Sequence, residues 1–274
     1  MDNRSYDQYR GQVAGRADVE DTPELLSFYK QLDDLQVGAL WTVANKIEPW
    51  EPKSESLPVL WRYRDLREDV LRALDLVTPE EAGRRVIYLE NPGRSDVVAV
   101  VGWLYSGLQV MKPGECASSH RHSASALRFI MEGEGAFTNV DGQKLTLGAN
   151  DFVLRPNGTW HEHGVAEEGT ICIWQDGLDI PLMNALDANF YEVHPDLNQA
   201  VSHPVDASVA TWANAGLRPW GSTWDKRYSP LLKYEWAPTY EALQQYARVT
   251  DGSPFDGVLM EYVHPDTGGP GMST

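Results

Sequence analysis

Apolar and polar residues follow two different periods along this chain, and the change of period divides it. Leu25, Phe28, Tyr29 and Leu32 fall at i, i+3, i+4 and i+7, which predicts a helix with one apolar face. Asp21-Thr22-Pro23-Glu24 opens it, with a capping residue ahead of a proline in the first turn. Residues 1–20 before it are polar and predict a loose start. Prolines crowd the stretch from Ile47 to Pro58, which reads as an irregular connector laid over a core. Arg64 to Leu74 returns to helical spacing, and Thr78-Pro79-Glu80-Glu81 has the form of a capping box that opens a short third helix.

Beyond this point the period falls to two. Strands are predicted at Arg85–Leu89, Val97–Val101, Leu108–Met111, Leu127–Met131, Ala136–Val140, Lys144–Leu147, Asp151–Leu154 and Thr170–Trp174. Glu132-Gly133-Glu134-Gly135 and Asp141-Gly142 supply turns between them. Short strands so closely punctuated predict a closed or doubled antiparallel sheet. Asp176-Gly177-Leu178-Asp179-Ile180-Pro181 then leads the chain out of it. From Leu182 to about Pro230 the sequence is loop-rich, yet too aromatic for a disordered linker. A helix is predicted from Pro238 to Leu243, and one more strand from Gly257 to Val263.

Composition narrows the classes. A chain of 274 residues can bury a sizeable core as one large or two small domains. No apolar run reaches the length of a membrane span, and the polar start lacks a signal peptide's apolar centre, so a cytoplasmic protein is expected. Cys116 and Cys172 form no CxxC and read as free thiols, with Cys116 close enough to His120 in sequence to lie near a metal. The net charge, 23 − 40 = −17, argues against nucleic acid and anionic membrane surfaces. An acidic protein that takes an anionic ligand must gather its basic groups at the site.

The candidate chemistry lies in two histidine pairs. His120 and His122 are one residue apart, as are His161 and His163, and side chains at i and i+2 of a strand share a face. One such histidine would read as a satisfied core residue, but three at these spacings read as a metal site. His161 and His163 should both face the cavity, so His163 is either a fourth ligand or an acid–base group. Arg128, an even number of residues after His122, should point inward too. A buried arginine needs an anionic partner, which a substrate carboxylate, reduced oxygen or Asp176 would each supply.

Gly114 followed after five residues by His-Arg-His, and later Pro156-Asn157-Gly158-Thr159-Trp160-His161, resemble the two motifs of the cupins, small jelly-roll barrels with a metal in their mouth. Many metal cupins carry a glutamate about four residues after the second histidine, and here that position is Ala126. The run from His120 to Phe129, with Trp160-His161-Glu162-His163-Gly164, resembles the gentisate 1,2-dioxygenase family and its salicylate and 1-hydroxy-2-naphthoate dioxygenase relatives, from about Asp21 to the C-terminus.

The resemblance implies a mainly β cupin barrel with N-terminal helices, in a bicupin-type chain whose second barrel is largely absent. It divides the chain into a helical layer with first strands (1–95), the catalytic barrel (96–181), a linker with a helix (182–256) and the start of a truncated second cupin (257–274). It implies Fe(II) held by His120, His122 and His161, with His163, Arg128 and Arg84 in catalysis and Gln109, Tyr105 and Asp176 lining the substrate pocket. Arg85 competes with Arg84 for its position, and Tyr105 stands where relatives carry tryptophan. The implied reaction is cleavage of a small aromatic hydroxy acid by O2, gentisate to maleylpyruvate, in a homotetramer. Salicylate or 1-hydroxy-2-naphthoate cleavage, a non-catalytic metal- or ligand-binding cupin, and a cupin isomerase or another dioxygenase are the alternatives.

Overall fold

Thr22 caps the first described helix as its sequence suggests, accepting a hydrogen bond from the Leu25 amide at 3.2 Å. A computed structural model describes residues 20–214 and 216–269. The polar start predicted to be loose therefore lies, up to residue 19, outside the described residues. The chain divides into two compact units, one ending at Glu55 and one starting at Ser56. In the first, α1 (Pro23–Asp34) and α2 (Leu40–Ile47) are tied by the Trp41 indole donating to the Tyr29 hydroxyl at 2.8 Å. The second helix was not signalled, because eight residues are too few to establish a period.

The second unit opens with α3 (Tyr63–Leu76) and α4 (Pro79–Ala82), the latter inside the expected capping box between Thr78 and Glu81. Among the described residues, strands β1 (Val86–Tyr88), β2 (Tyr105–Met111), β3 (Cys116–His122), β4 (Ala126–Glu132), β5 (Ala136–Val140) and β6 (Gln143–Leu147) follow. They continue with β7 (Phe152–Arg155), β8 (His161–Val165), β9 (Cys172–Leu178), β10 (Tyr191–Val193) and β11 (Lys233–Tyr234). Three short helices complete the unit, α5 (Ile180–Ala185), α6 (Ala207–Trp212) and α7 (Trp236–Tyr246).

One sheet has the order β1-β2-β9-β4-β7-β11 and the other β10-β3-β8-β5-β6, all neighbours antiparallel. Between them lies a core to which both contribute: Met111, Ile130, Val153 and Trp174 from the first, Val140, Leu145, Leu147 and Val165 from the second. On the outside, α3 buries Val70, Ala73 and Leu74 against Leu108, Val110 and Ile173. Val70 is wholly excluded from water, and each such aliphatic side chain contributes about 1.5–3 kcal/mol. An aspartate at Val70 would detach the helix.

Several elements depart from the pattern. The apolar run Val97–Val101 is no strand, because its backbone partners are local: the Val100 amide donates to Leu104 at 2.8 Å, and the Asn91 side chain donates to the Val100 carbonyl at 2.9 Å. The segment expected to leave the barrel at Asp176 stays in it, since β9 runs to Leu178 between β2 and β4. The strand predicted over Gly257–Val263 does not form. Side chains hold this stretch instead, with Tyr262 stacked on Phe152 at 5.1 Å and the Tyr234 hydroxyl donating to the Val263 carbonyl. The loop-rich region supplies β10, an edge strand of the second sheet, and β11, just beyond it, is an edge strand of the first.

Candidate metal centre

One extra residue in β3 sets up the site. Ala117 pairs with His163 and His120 with His161, so three steps along β3 match two along β8. Without that bulge, strict alternation from the inward Ala117 would aim Ser119 and Arg121 inward. With it, His120 and His122 take the inner face, and His120 stands beside its register partner His161 on β8. Cys116, outside this face, is exposed and points away from the histidines.

The rings of His120 and His161 lie 4.3 Å apart and those of His122 and His161 4.8 Å apart. Each Nδ1 meets a backbone carbonyl: Ser118 at 2.7 Å, Ala124 at 2.8 Å and Thr159 at 3.0 Å for His120, His122 and His161. A carbonyl can only accept, so Nδ1 carries the proton and Nε2 keeps its lone pair. All three Nε2 atoms are buried with no partner among the protein's own groups. Ligand atoms of the three residues lie within 4.8 Å of one another, and no other such group occurs among the described residues.

Burial lowers these imidazoles, with nearby arginines adding to it. His120 falls to about 3, with Arg84 next in effect, and His122 to about 4, with Arg155 next. His161 and His163 lie well below the ordinary value, again through burial first. Neutral imidazoles with bare, converging lone pairs fit a divalent first-row metal, whose charge would repay the three unpartnered acceptors.

Register builds the facing wall. Gly107 and Arg128 both pair with Asp176, Gln109 and Ile130 with Trp174, and Tyr105 and Ala126 with Leu178, so these residues share one face of the first sheet. Arg128 is completely buried; its Nε and Nη2 donate to Asp176 at 2.8 and 3.2 Å, and its guanidinium carbon lies 4.2 Å from the Trp174 ring centroid. Gln109 accepts from the Trp174 indole at 3.3 Å. Tyr105 is partly buried, and burial followed by the Asp176 charge raises its phenol above the ordinary value.

Arg155, which the sequence reading did not single out, completes this wall. Its Nη2 donates to Asp176 at 2.7 Å, while burial and then Arg128 push its guanidinium down to about 9. Burial works to raise the Asp176 carboxyl, but Arg128 and Arg155 outweigh it and hold the group below the usual range. Alternation from the core residue Val153 would have found Arg155.

Of the two neighbouring arginines, Arg85 is buried and spent on Glu115 and the Val77 carbonyl. Arg84 instead donates to the Tyr191 hydroxyl at 3.0 Å, beside His120. His163 sits between the metal ligands and this wall, its ring 6.4 Å from His120 and 5.6 Å from Trp174, with both nitrogens unpartnered. Arg128 Nη1 and Arg155 Nε are also buried without a protein partner.

The chain is similar to known proteins in sequence and in fold. Residues 107–181 match the cupin domain family. The chain is 37% identical over 253 residues to gentisate 1,2-dioxygenase 1 of Aquipseudomonas alcaligenes, covering 92% of this chain and 72% of that protein. It is 33% identical to a 5-aminosalicylate 1,2-dioxygenase of Comamonas sp, over 92% of this chain and 67% of the other. The crystal structure of salicylate 1,2-dioxygenase from Pseudoaminobacter salicylatoxidans with gentisate superposes with a TM-score of 0.82 at 30% identity, over 99% of this chain and 74% of that one.

Proposed function

The chain belongs to the gentisate 1,2-dioxygenase family, and from that premise we propose that it is an Fe(II)-dependent enzyme that cleaves the ring of a 2-hydroxybenzoate, gentisate foremost. The observation that carries this reading is a pairing of deficits. Three bare imidazole nitrogens face a wall where Arg128 and Arg155 share the Asp176 carboxylate and still present unpartnered N–H groups. A ligand that is anionic and carries adjacent oxygens answers both. A carboxylate beside a phenolic oxygen is such a ligand.

His120, His122 and His161 hold the metal. When bound, it supplies positions for the substrate oxygens and O2 and a route for electrons from ring to oxygen. Arg84 and the free Nη1 of Arg128 hold the substrate carboxylate, and Arg155 adds positive charge behind them. Gln109, whose carbonyl oxygen is occupied by Trp174, offers its amide N–H groups to a ring oxygen. Tyr105 bounds the pocket on the β2 side. His163, neutral and unpartnered, takes the phenolic proton and returns it to the product. Both atoms of O2 enter the product as the bond between the carboxyl-bearing and hydroxyl-bearing carbons breaks, giving maleylpyruvate from gentisate.

Salicylate is the second reading, favoured by the close superposition on salicylate 1,2-dioxygenase. The free thiols Cys116 and Cys172 support a cytoplasmic setting, and no described helix is long and apolar enough to cross a membrane. Assembly as a homotetramer follows from the family resemblance, and light scattering after size exclusion tests it.

Oxygen consumption by anaerobically Fe(II)-loaded protein with gentisate, salicylate and 1-hydroxy-2-naphthoate in turn tests the activity, with absorbance following ring opening. Uptake with gentisate is expected. Iron-replete protein that consumes no oxygen with any of them would leave a metal-binding cupin without this activity.

A further inference from the structure

Tyr191 was invisible in the sequence, yet it touches two groups of the site. Its ring lies nearly parallel to the His120 imidazole, with centroids 5.3 Å apart and 20° between planes. Its hydroxyl accepts from Arg84 Nη2 at 3.0 Å, and the Arg84 guanidinium carbon stands 5.6 Å from its ring centroid. The backbone fixes this placement, because β10 pairs Tyr191 with His122 and Val193 with His120. Core packing does not account for it: Tyr191 is 58% exposed.

We propose that Tyr191 is a positioning residue that couples the metal ligand His120 to the substrate-facing Arg84 through one side chain. The Arg84 half rests on the reading of that residue given under the proposed function. Arginine loses rotamer freedom whenever it grips an anion, and an acceptor that fixes one nitrogen in advance lowers that cost. His120 is already tied at Nδ1 to the Ser118 carbonyl; the stacked phenol covers one face of the ring and fixes the remaining rotation. The hydroxyl thus serves Arg84 and the ring serves His120, so substitution can separate the two.

The test compares wild type with Tyr191→Phe, Tyr191→Ala, Arg84→Met and the Tyr191→Phe/Arg84→Met pair, all loaded with Fe(II). It reads KM and kcat for gentisate, anaerobic gentisate affinity, and the rate of metal loss to a chelator. Tyr191→Phe is expected to raise KM and weaken anaerobic affinity by about 5- to 10-fold with kcat changed far less, as for the loss of an ordinary solvent-exposed hydrogen bond. Its metal loss should match wild type. In the Arg84→Met background the same substitution should have no further effect, which a merely structural role would not produce. Tyr191→Ala should in addition release metal several-fold faster.

Wild-type affinity in Tyr191→Phe, or an undiminished effect without Arg84, overturns the link to Arg84. Wild-type metal loss in Tyr191→Ala overturns the link to His120. A wild-type protein that holds iron but binds no gentisate removes the functional reading and the Arg84 half with it, while metal loss still decides the His120 half.

Discussion

Arg128 and Asp176 stand in direct register on neighbouring strands, and their side chains meet at 2.8 and 3.2 Å inside the barrel. The same carboxylate accepts from Arg155 at 2.7 Å. One buried anion therefore anchors two buried cations.

Asp176→Asn leaves both guanidinium groups without a counter-charge. Removing one member of a buried ionic pair costs about 3–5 kcal/mol, and a loss of that order is expected in urea denaturation. A loss below about 1 kcal/mol would show that another group offsets the arginines.

Alanine at His120, His122 or His161 should each abolish stoichiometric iron binding, whereas His163→Ala should keep the metal and lose about 10²–10⁴-fold in kcat. Metal analysis beside turnover separates the two classes. A His163→Ala protein without iron would make His163 a ligand. Chelation of the wild type should lower its stability by about 2.7 kcal/mol where free metal had stood at a hundred times Kd.

Metal-free protein should lose stability as pH falls below about 6.5, the ordinary histidine value. In the folded state His120 and His122 stay neutral down to about 3 and 4, while the unfolded chain protonates both from about 6.5. Each histidine in that window costs about 1.4 kcal/mol per pH unit. Urea midpoints at pH 7.5 and 5.5 check this, and a double His120→Gln/His122→Gln variant should show a flatter dependence. An equal slope in that variant would place the titration elsewhere.

Gly107 packs where no side chain fits. A Cβ there would lie 2.6 Å from Val86 Cγ1 and 2.9 Å from the Tyr105 hydroxyl. Gly107→Ala should push β1 outward and move Tyr105, at a cost of about 1–3 kcal/mol as in other overpacked sites. Thermal unfolding and the gentisate-to-salicylate rate ratio should both change; if the ratio alone holds, Tyr105 does not bound the substrate.

Local pattern determined the parts of this protein that depend on neighbours in sequence. Thr22 and Thr78 announced their helices, glycine turns marked the hairpins, and the paired histidines with Arg128 could be placed on inward strand faces because alternation is a property of one strand. Pattern failed where an extended segment needed a distant partner. Val97–Val101 and Gly257–Val263 are as apolar as the true strands but find no sheet edge, while β10 has little apolar signal and forms because β3 offers one. The β3 bulge, the shared use of Asp176 by Arg128 and Arg155, and the meeting of Tyr191 with His120 and Arg84 were likewise settled only by tertiary structure. Each depends on register between segments tens of residues apart, and register is fixed by burial and hydrogen bonding across the whole sheet.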